Sequence, residues 1–165
     1  MSSALTEING LSQPEFVRIV GPVFEHSPWI AEVAAKQRPF GDREALHAAM
    51  CAIVRTASED KQLALIRAHP DLVGRAVLTA ESNREQAAAG LMQLSPDEVA
   101  LFDRYNTEYK ARFGFPFIIC ARKNKKEAIL GAFPARLKHS KETEIKTALD
   151  QIFQIAELRL TDLIT

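Results

Sequence analysis

The chain has 165 residues, 47% apolar and 25% charged, which is typical of one folded domain rather than of a disordered or fibrous protein. Its 21 basic residues balance 21 acidic ones, so no net positive field favours nucleic acid or an anionic membrane surface as a partner. The sequence shows no secretory leader and no run of about 20 apolar residues, which disfavours a membrane span and predicts a cytoplasmic protein.

Helix starts are expected where a small polar residue precedes a glutamate by three positions, because the two side chains can cap each other's backbone. A proline at the first helical position is a further start signal. Together these signals predict starts at Ser12–Glu15, Ser27–Pro28, Ser82–Glu85 and Ser95–Glu98. Lys141–Glu144 shows the same spacing without a capping hydroxyl and is a further expected start.

Between these starts the apolar residues recur at helical spacing, most clearly after Asp42 and after Ser58. Gly90 and Gly114 are expected to end helices. The apolar segment 115–120 is too short for its period to be read, and we expect it to be extended. With no second strand candidate to pair with it, the sequence predicts an all-α fold: one domain over residues 1–165, an irregular bundle of about seven or eight helices.

His69 is the first candidate for chemistry. Pro70 disfavours helical geometry in the residue before it, so His69 should mark the end of the helix that starts near Glu59. A histidine at a helix carboxyl end is also explained by its favourable interaction with the helix dipole alone. The triplet His69-Pro70-Asp71 occurs in the loop of J-domain co-chaperones as well. However, Leu72-Val73-Gly74 is not the basic continuation expected there, and the chain is much longer than that module.

The cluster from Ser82 to Gln86 is the second candidate. A helix start offers free backbone donors and the positive end of the dipole, which suits an anion. A capping box would account for Ser82 and Glu85 without any ligand. Gln86 lies four positions after Ser82, so both side chains can face the same side of the helix.

Arg159 interrupts the apolar stripe of the last helix, which runs through Ile145, Leu149, Ile152, Ala156 and Leu163. A buried guanidinium requires a carboxylate or another anion, so Arg159 either pairs with an internal acid or waits for an anionic substrate. Extension of its charged end to solvent is the third possibility.

Neither a metal nor an organic cofactor is indicated. His26, His47 and His139 lack the spacing of a metal site, and no phosphate-binding or dinucleotide motif occurs. Cys51 and Cys120 both lie in apolar stretches, which fits buried reduced thiols.

Four groups of residues occur in a characteristic order along nearly the whole chain. They are His69-Pro70-Asp71-Leu72; Leu78-Thr79-Ala80-Glu81-Ser82 running into Glu85-Gln86 and Ala89-Gly90-Leu91; Phe113-Gly114-Phe115-Pro116-Phe117; and Arg136-Leu137 followed by Glu157-Leu158-Arg159-Leu160. Taken together, they resemble the 2-oxo-4-hydroxy-4-carboxy-5-ureidoimidazoline (OHCU) decarboxylase family.

The resemblance implies an all-helical, usually dimeric enzyme without metal or organic cofactor, which forms (S)-allantoin in the last step of urate breakdown. Its substrate would be a small anionic ureidoimidazoline. By motif, His69 matches the family's catalytic histidine and Glu85 its partner carboxylate. The positions that match substrate contacts are Pro70, Ser82, Gln86 and Arg159, together with a backbone stretch formed by Phe117, Ile118, Ile119, Cys120 and Ala121.

If Arg159 waits for substrate, Arg159→Met should keep or raise thermal stability while it weakens turnover. Two alternatives to the decarboxylase remain at this point. One is a cofactor-free lyase or hydrolase acting on a related ureide, and the other is a helical co-chaperone-like binding module.

Overall fold

The structure, a computed structural model, describes residues 3–74 and 77–165, and this part of the chain contains nine α-helices and no β-strand. The helices are α1 (Leu5–Gly10), α2 (Gln13–Val20), α3 (Trp29–Ala35), α4 (Arg43–Thr56), α5 (Glu59–Arg67), α6 (Ala80–Ala88), α7 (Pro96–Phe113), α8 (Lys126–Leu137) and α9 (Lys141–Leu163). The all-α prediction is therefore confirmed. None of the described helices is long and apolar enough to cross a membrane.

Most of the start signals act as the sequence predicts. Ser12, Asp42, Ser58 and Ser95 each accept a hydrogen bond from the backbone N–H three residues later, and Ser95 and Glu98 form a reciprocal capping box. Gly114 ends α7 with φ of 80°, a left-handed conformation that glycine adopts without steric cost.

The predicted start at Ser82 is wrong. Helix α6 begins at Ala80, and its cap is Thr79, whose Oγ1 accepts from the Ser82 backbone N–H at 3.1 Å. Ser82 therefore lies inside the first turn. Glu85, six residues into the helix, is too far along to complete a capping box.

Contacts divide the chain into two compact units, Met1–Ala68 with Phe153–Thr165, and His69–Ile152. Helix α9 contributes its residues through Ile152 to the second unit and the remainder to the first. The single domain over residues 1–165 stays a prediction.

The first unit is built by successive helices that pack on each other, α2 on α3, α3 on α4, and α4 on α5. Its apolar stripes point inward, as the period predicts. The largest fully buried side chains of this unit are Ile8, Phe16, Phe24, Ile30, Leu46, Met50 and Leu65.

The second unit has an aromatic core where α7 packs against α8. The ring of Phe117 stacks on that of Phe133, with 3.8 Å between centroids, and meets Tyr109 edge to face at 5.3 Å. Phe117 belongs to the non-helical segment after α7, so this core holds that segment inside the unit.

Candidate active site

His69 and Pro70 open the second unit, just after α5 ends at Arg67. Both are partly exposed, as expected for a residue pair at the end of a helix. The backbone N–H of Val73, four residues after His69, donates to Oε1 of Gln86 at 3.1 Å. The loop that follows His69 is thus tied directly to α6.

Helix α6 carries three of the predicted site residues. Ser82 and Gln86 are both buried, which confirms that residues four apart share one face of this helix, while Glu85 is partly exposed. The Ser82 N–H donates to Thr79 Oγ1 and so belongs to the cap of α6. An anion seat at this helix start stays a prediction.

The segment from Phe117 to Ala121 is buried, although it belongs to no helix or strand until the 3₁₀ turn Ala121–Lys123. Buried backbone groups need hydrogen-bond partners, and side chains supply them here. Arg136 Nη1 donates to the Ile118 carbonyl at 2.5 Å, and the Cys120 N–H donates to Gln151 Oε1 at 2.9 Å. Asn124 Nδ2 donates to the Cys120 carbonyl at 3.0 Å.

Arg136 is itself held by a buried carboxylate. Its Nε lies 2.8 Å from Oε1 of Glu144, which is fully buried at the start of α9. Tyr109 donates its hydroxyl to the same oxygen at 2.5 Å, and His139 Nδ1 lies 2.8 Å from Oε2. Burial, together with the bond to Glu144, raises the pKa of Tyr109, so its hydroxyl remains a donor.

The guanidinium of Arg136 also lies over the ring of Phe117, 4.1 Å from its centroid. Phe117 is therefore held between Arg136 on one face and Phe133 on the other. Arg136, Glu144, Tyr109 and His139, which we call the Glu144 cluster, fix the start of the segment. Gln151 and Asn124 fix its end.

The structure brings α6 and this segment together, because α6 packs against the turn that begins at Ala121. Burial raises the pKa of the Cys120 thiol, and the nearby charge of Glu85 raises it further. Cys120 therefore stays a neutral thiol, as expected. The second unit thus contains His69, Pro70, Ser82, Glu85, Gln86 and the stretch from Phe117 to Ala121.

Arg159 lies in the other unit, on the half of α9 that follows Ile152. It is buried, as its place in the apolar stripe predicted, so extension to solvent is wrong. Its Nη1 lies 3.0 Å from Oε1 of the equally buried Glu25 and donates to the Pro22 carbonyl at 3.1 Å. The expectation of an unpaired guanidinium is therefore wrong, because an internal acid is present. A substrate contact by Arg159 stays a prediction.

Sequence reasoning missed Glu144 and Gln151, although one signal was present. Glu144 continues the stripe of Arg159 backwards by steps of three and four through Ala156, Ile152 and Ala148, which places an acid on the buried face. Its place in the helix start Lys141–Glu144 does not by itself indicate burial. For Gln151, a partly exposed residue, no local signal exists.

Among residues 3–74 and 77–165, no group of three or more His, Cys, Asp or Glu side chains is placed to hold a metal ion. Cys51 is the cysteine of the first unit. Its thiol is buried, and burial raises its pKa to about 11, so the thiol is protonated at neutral pH.

Comparison with known proteins gives one consistent result. A family model described as OHCU decarboxylase matches residues 9–161. The OHCU decarboxylase of Haloferax volcanii is 45% identical over 158 residues, which is 96% of this chain and 94% of that protein.

Two solved structures are also similar. That of (S)-allantoin synthase matches 98% of this chain with a TM-score of 0.81 and 31% identity, and this chain spans 54% of its length. A structure of OHCU decarboxylase in the presence of (S)-allantoin matches 81% of this chain and 89% of its own, with a TM-score of 0.68 and 25% identity.

The Arg159–Glu25 pair yields a stability prediction. Arg159→Met leaves the Glu25 carboxylate buried without its guanidinium, so the free energy of unfolding should fall by about 3–5 kcal/mol. Chemical denaturation measures this loss. The double variant Arg159→Met with Glu25→Gln should recover much of it, since the stranded charge is gone.

Arg18→Met is the matched control, because Arg18 pairs with Glu15 in solvent and its loss should leave the denaturation midpoint unchanged. An Arg159→Met protein as stable as the original, or more stable, would contradict a lasting pair with Glu25.

Proposed function

Since the chain belongs to the OHCU decarboxylase family, we propose that it converts OHCU to (S)-allantoin and carbon dioxide in urate breakdown. The observation that carries the proposal is that the family match, over residues 9–161, includes every candidate site residue. The second unit supports it, because His69, Glu85 and the buried, hydrogen-bonded backbone of residues 117–121 all belong to this unit.

The reaction requires a protein that positions the substrate and transfers a proton to it. The bond between the ring carbon and the carboxylate breaks, and its electron pair stays on the carbon as carbon dioxide leaves. The conjugated groups of the substrate itself can delocalise this pair, so no metal or organic cofactor is part of the proposal. A proton then bonds to one face of the carbon, and the choice of face sets the configuration of allantoin.

His69 is proposed as the proton-transfer residue, because a histidine side chain changes charge near neutral pH. Glu85 is proposed to orient the imidazole or to accept hydrogen bonds from the ring and ureido N–H groups. Positioned polar groups of this kind are usually the largest single contribution to catalysis.

The remaining residues are proposed to bind the substrate. Gln86 uses its Oε1 for Val73, so a substrate contact would involve its amide donors. Pro70 and the Ser82 hydroxyl would contact the substrate beside it. The backbone of 117–121 would form the wall, and the Arg159 guanidinium would bind a substrate anion, in which case the substrate competes with or joins Glu25.

A carboxy-lyase, a cytoplasmic location and a homodimer complete the proposal. The two buried neutral thiols support a reducing compartment. The homodimer is supported by the family resemblance alone.

The activity test uses freshly generated OHCU, which decays spontaneously to racemic allantoin. The purified protein should accelerate the decay and yield one enantiomer, measured by circular dichroism of the product, and EDTA should not change the rate. Racemic allantoin at the spontaneous rate would contradict the proposal. In that case, consumption of added allantoin would favour the related ureide enzyme, and no turnover of either would favour a binding module.

Substitutions at the two central residues separate their roles. His69→Asn should keep the helical circular dichroism spectrum and lower kcat by about 100- to 10,000-fold, the usual contribution of a positioned proton-transfer group. Glu85→Gln should also lower kcat, because the capping role that could explain this residue belongs to Thr79. Steady-state kinetics measure both effects.

Two controls match these variants. His26→Asn replaces an exposed histidine at a positive φ of 44°, which asparagine tolerates, and Glu81→Gln removes a charge one turn earlier on α6. Both should retain full activity. Normal turnover by His69→Asn would rule out the proposed role of His69.

A further inference from the structure

The loop after His69 is held by side chains at three consecutive residues. Lys110 Nζ lies 2.6 Å from Asp71 Oδ2, and Asn106 Nδ2 donates to the Leu72 carbonyl at 2.8 Å. The Val73 N–H donates to Gln86, as described above. Asn106 and Lys110 lie four residues apart on α7 and so share the face that meets this loop.

The loop adopts a conformation that it would not keep by itself. Val73 has φ of 56°, in the left-handed region, where a β-branched side chain is strained. Such a conformation persists only when the surrounding contacts determine it. The bonds at Asp71, Leu72 and Val73 are the contacts that do so here.

Asn106 is the most informative of these contacts. Its side chain is buried, and within the described chain its Oδ1 has no hydrogen-bond partner. Because the Leu72 carbonyl can only accept, the amide must present Nδ2 to it, so Oδ1 is left facing away. A buried acceptor without a partner disfavours the folded state, and a leucine would fill similar space without one. The bond to Leu72 is what this residue contributes.

We infer that Asn106 is a positioning residue, which fixes His69 for proton transfer by holding the Leu72 carbonyl, with Lys110 assisting through Asp71. The inference rests on the proposed function of His69. Only Pro70 and Asp71 separate His69 from Leu72, and Pro70 fixes its own φ and restricts the residue before it. A shift of Leu72 is therefore passed to the imidazole with little room for compensation.

The test compares Asn106→Leu with Thr107→Val, a matched control. Thr107 is the next residue on α7, and among the residues that the structure describes its hydroxyl bonds only to the Asp103 carbonyl of its own helix. Asn106→Leu should lower kcat by about 100-fold, the effect of misplacing a reacting group by about 1 Å, and leave KM within about twofold. Because a smaller folded fraction would also lower the apparent kcat at constant KM, kcat is divided by the folded fraction that circular dichroism measures for each variant.

Nuclear magnetic resonance of histidine-labelled protein provides a readout that needs no substrate. The ring signal of His69, assigned by its absence in His69→Asn, should move in Asn106→Leu and stay in place in Thr107→Val. Lys110→Met, at a half-exposed position that tolerates substitution, should move the same signal and lower kcat by a smaller factor.

The outcomes separate this inference from the proposed function. A wild-type protein without decarboxylase activity contradicts the function, and the ring signal of His69 then decides the positioning role. Asn106→Leu with wild-type kcat and an unmoved His69 signal overturns the inference. If Asn106→Leu does not fold, Lys110→Met decides in its place by the same two measurements.

Discussion

The contact on which the second unit most depends is the buried ion pair between Arg136 and Glu144. The pair is more than a charge contact, because Arg136 also donates to the Ile118 carbonyl and covers the ring of Phe117. A buried ion pair by itself is weak support for stability, since desolvation offsets much of the attraction. The contribution of this pair is to position the segment from Phe117 to Ala121. Glu144 in α9 holds Arg136, and Arg136 holds the Ile118 carbonyl of a segment that belongs to no helix or strand.

The proposed chemistry depends on that fixed backbone. Helix α6 carries Ser82, Glu85 and Gln86 and packs against the turn at Ala121. The distance from Glu85 to the backbone of residues 117–121 therefore depends on the hydrogen bonds that hold this backbone in place. The same logic applies to the His69 loop, which α7 holds by side chains. In both places a residue outside the proposed set of substrate contacts holds the position of a residue within that set. Loss of activity should therefore extend to substitutions well outside the reacting groups.

Local rules predicted the helices and failed where the structure depends on distant partners. Capping signals and apolar period gave the all-α fold and the burial of Arg159, because both are set by neighbours within one or two turns. The sequence does not distinguish Ser82 from Thr79 as the cap of α6, because both carry a hydroxyl and they lie three residues apart; the backbone conformation makes Thr79 the cap. The hydrogen bonds between Asn106 and Leu72 and between Gln151 and Cys120 join residues 34 and 31 positions apart, so no periodic pattern in the sequence predicts them.

The most direct test of the central claim, that the Arg136–Glu144 pair holds the wall of the site, is amide hydrogen exchange at Cys120. This N–H is bonded to Gln151, so its exchange reports local opening of the segment. Arg136→Met should speed exchange at Cys120 relative to Asn106 in the middle of α7. Arg104→Met, which removes an exposed arginine paired with Glu108, should not. Equal relative protection of Cys120 in wild type and Arg136→Met would show that the segment holds its place without the pair, and would contradict the claim.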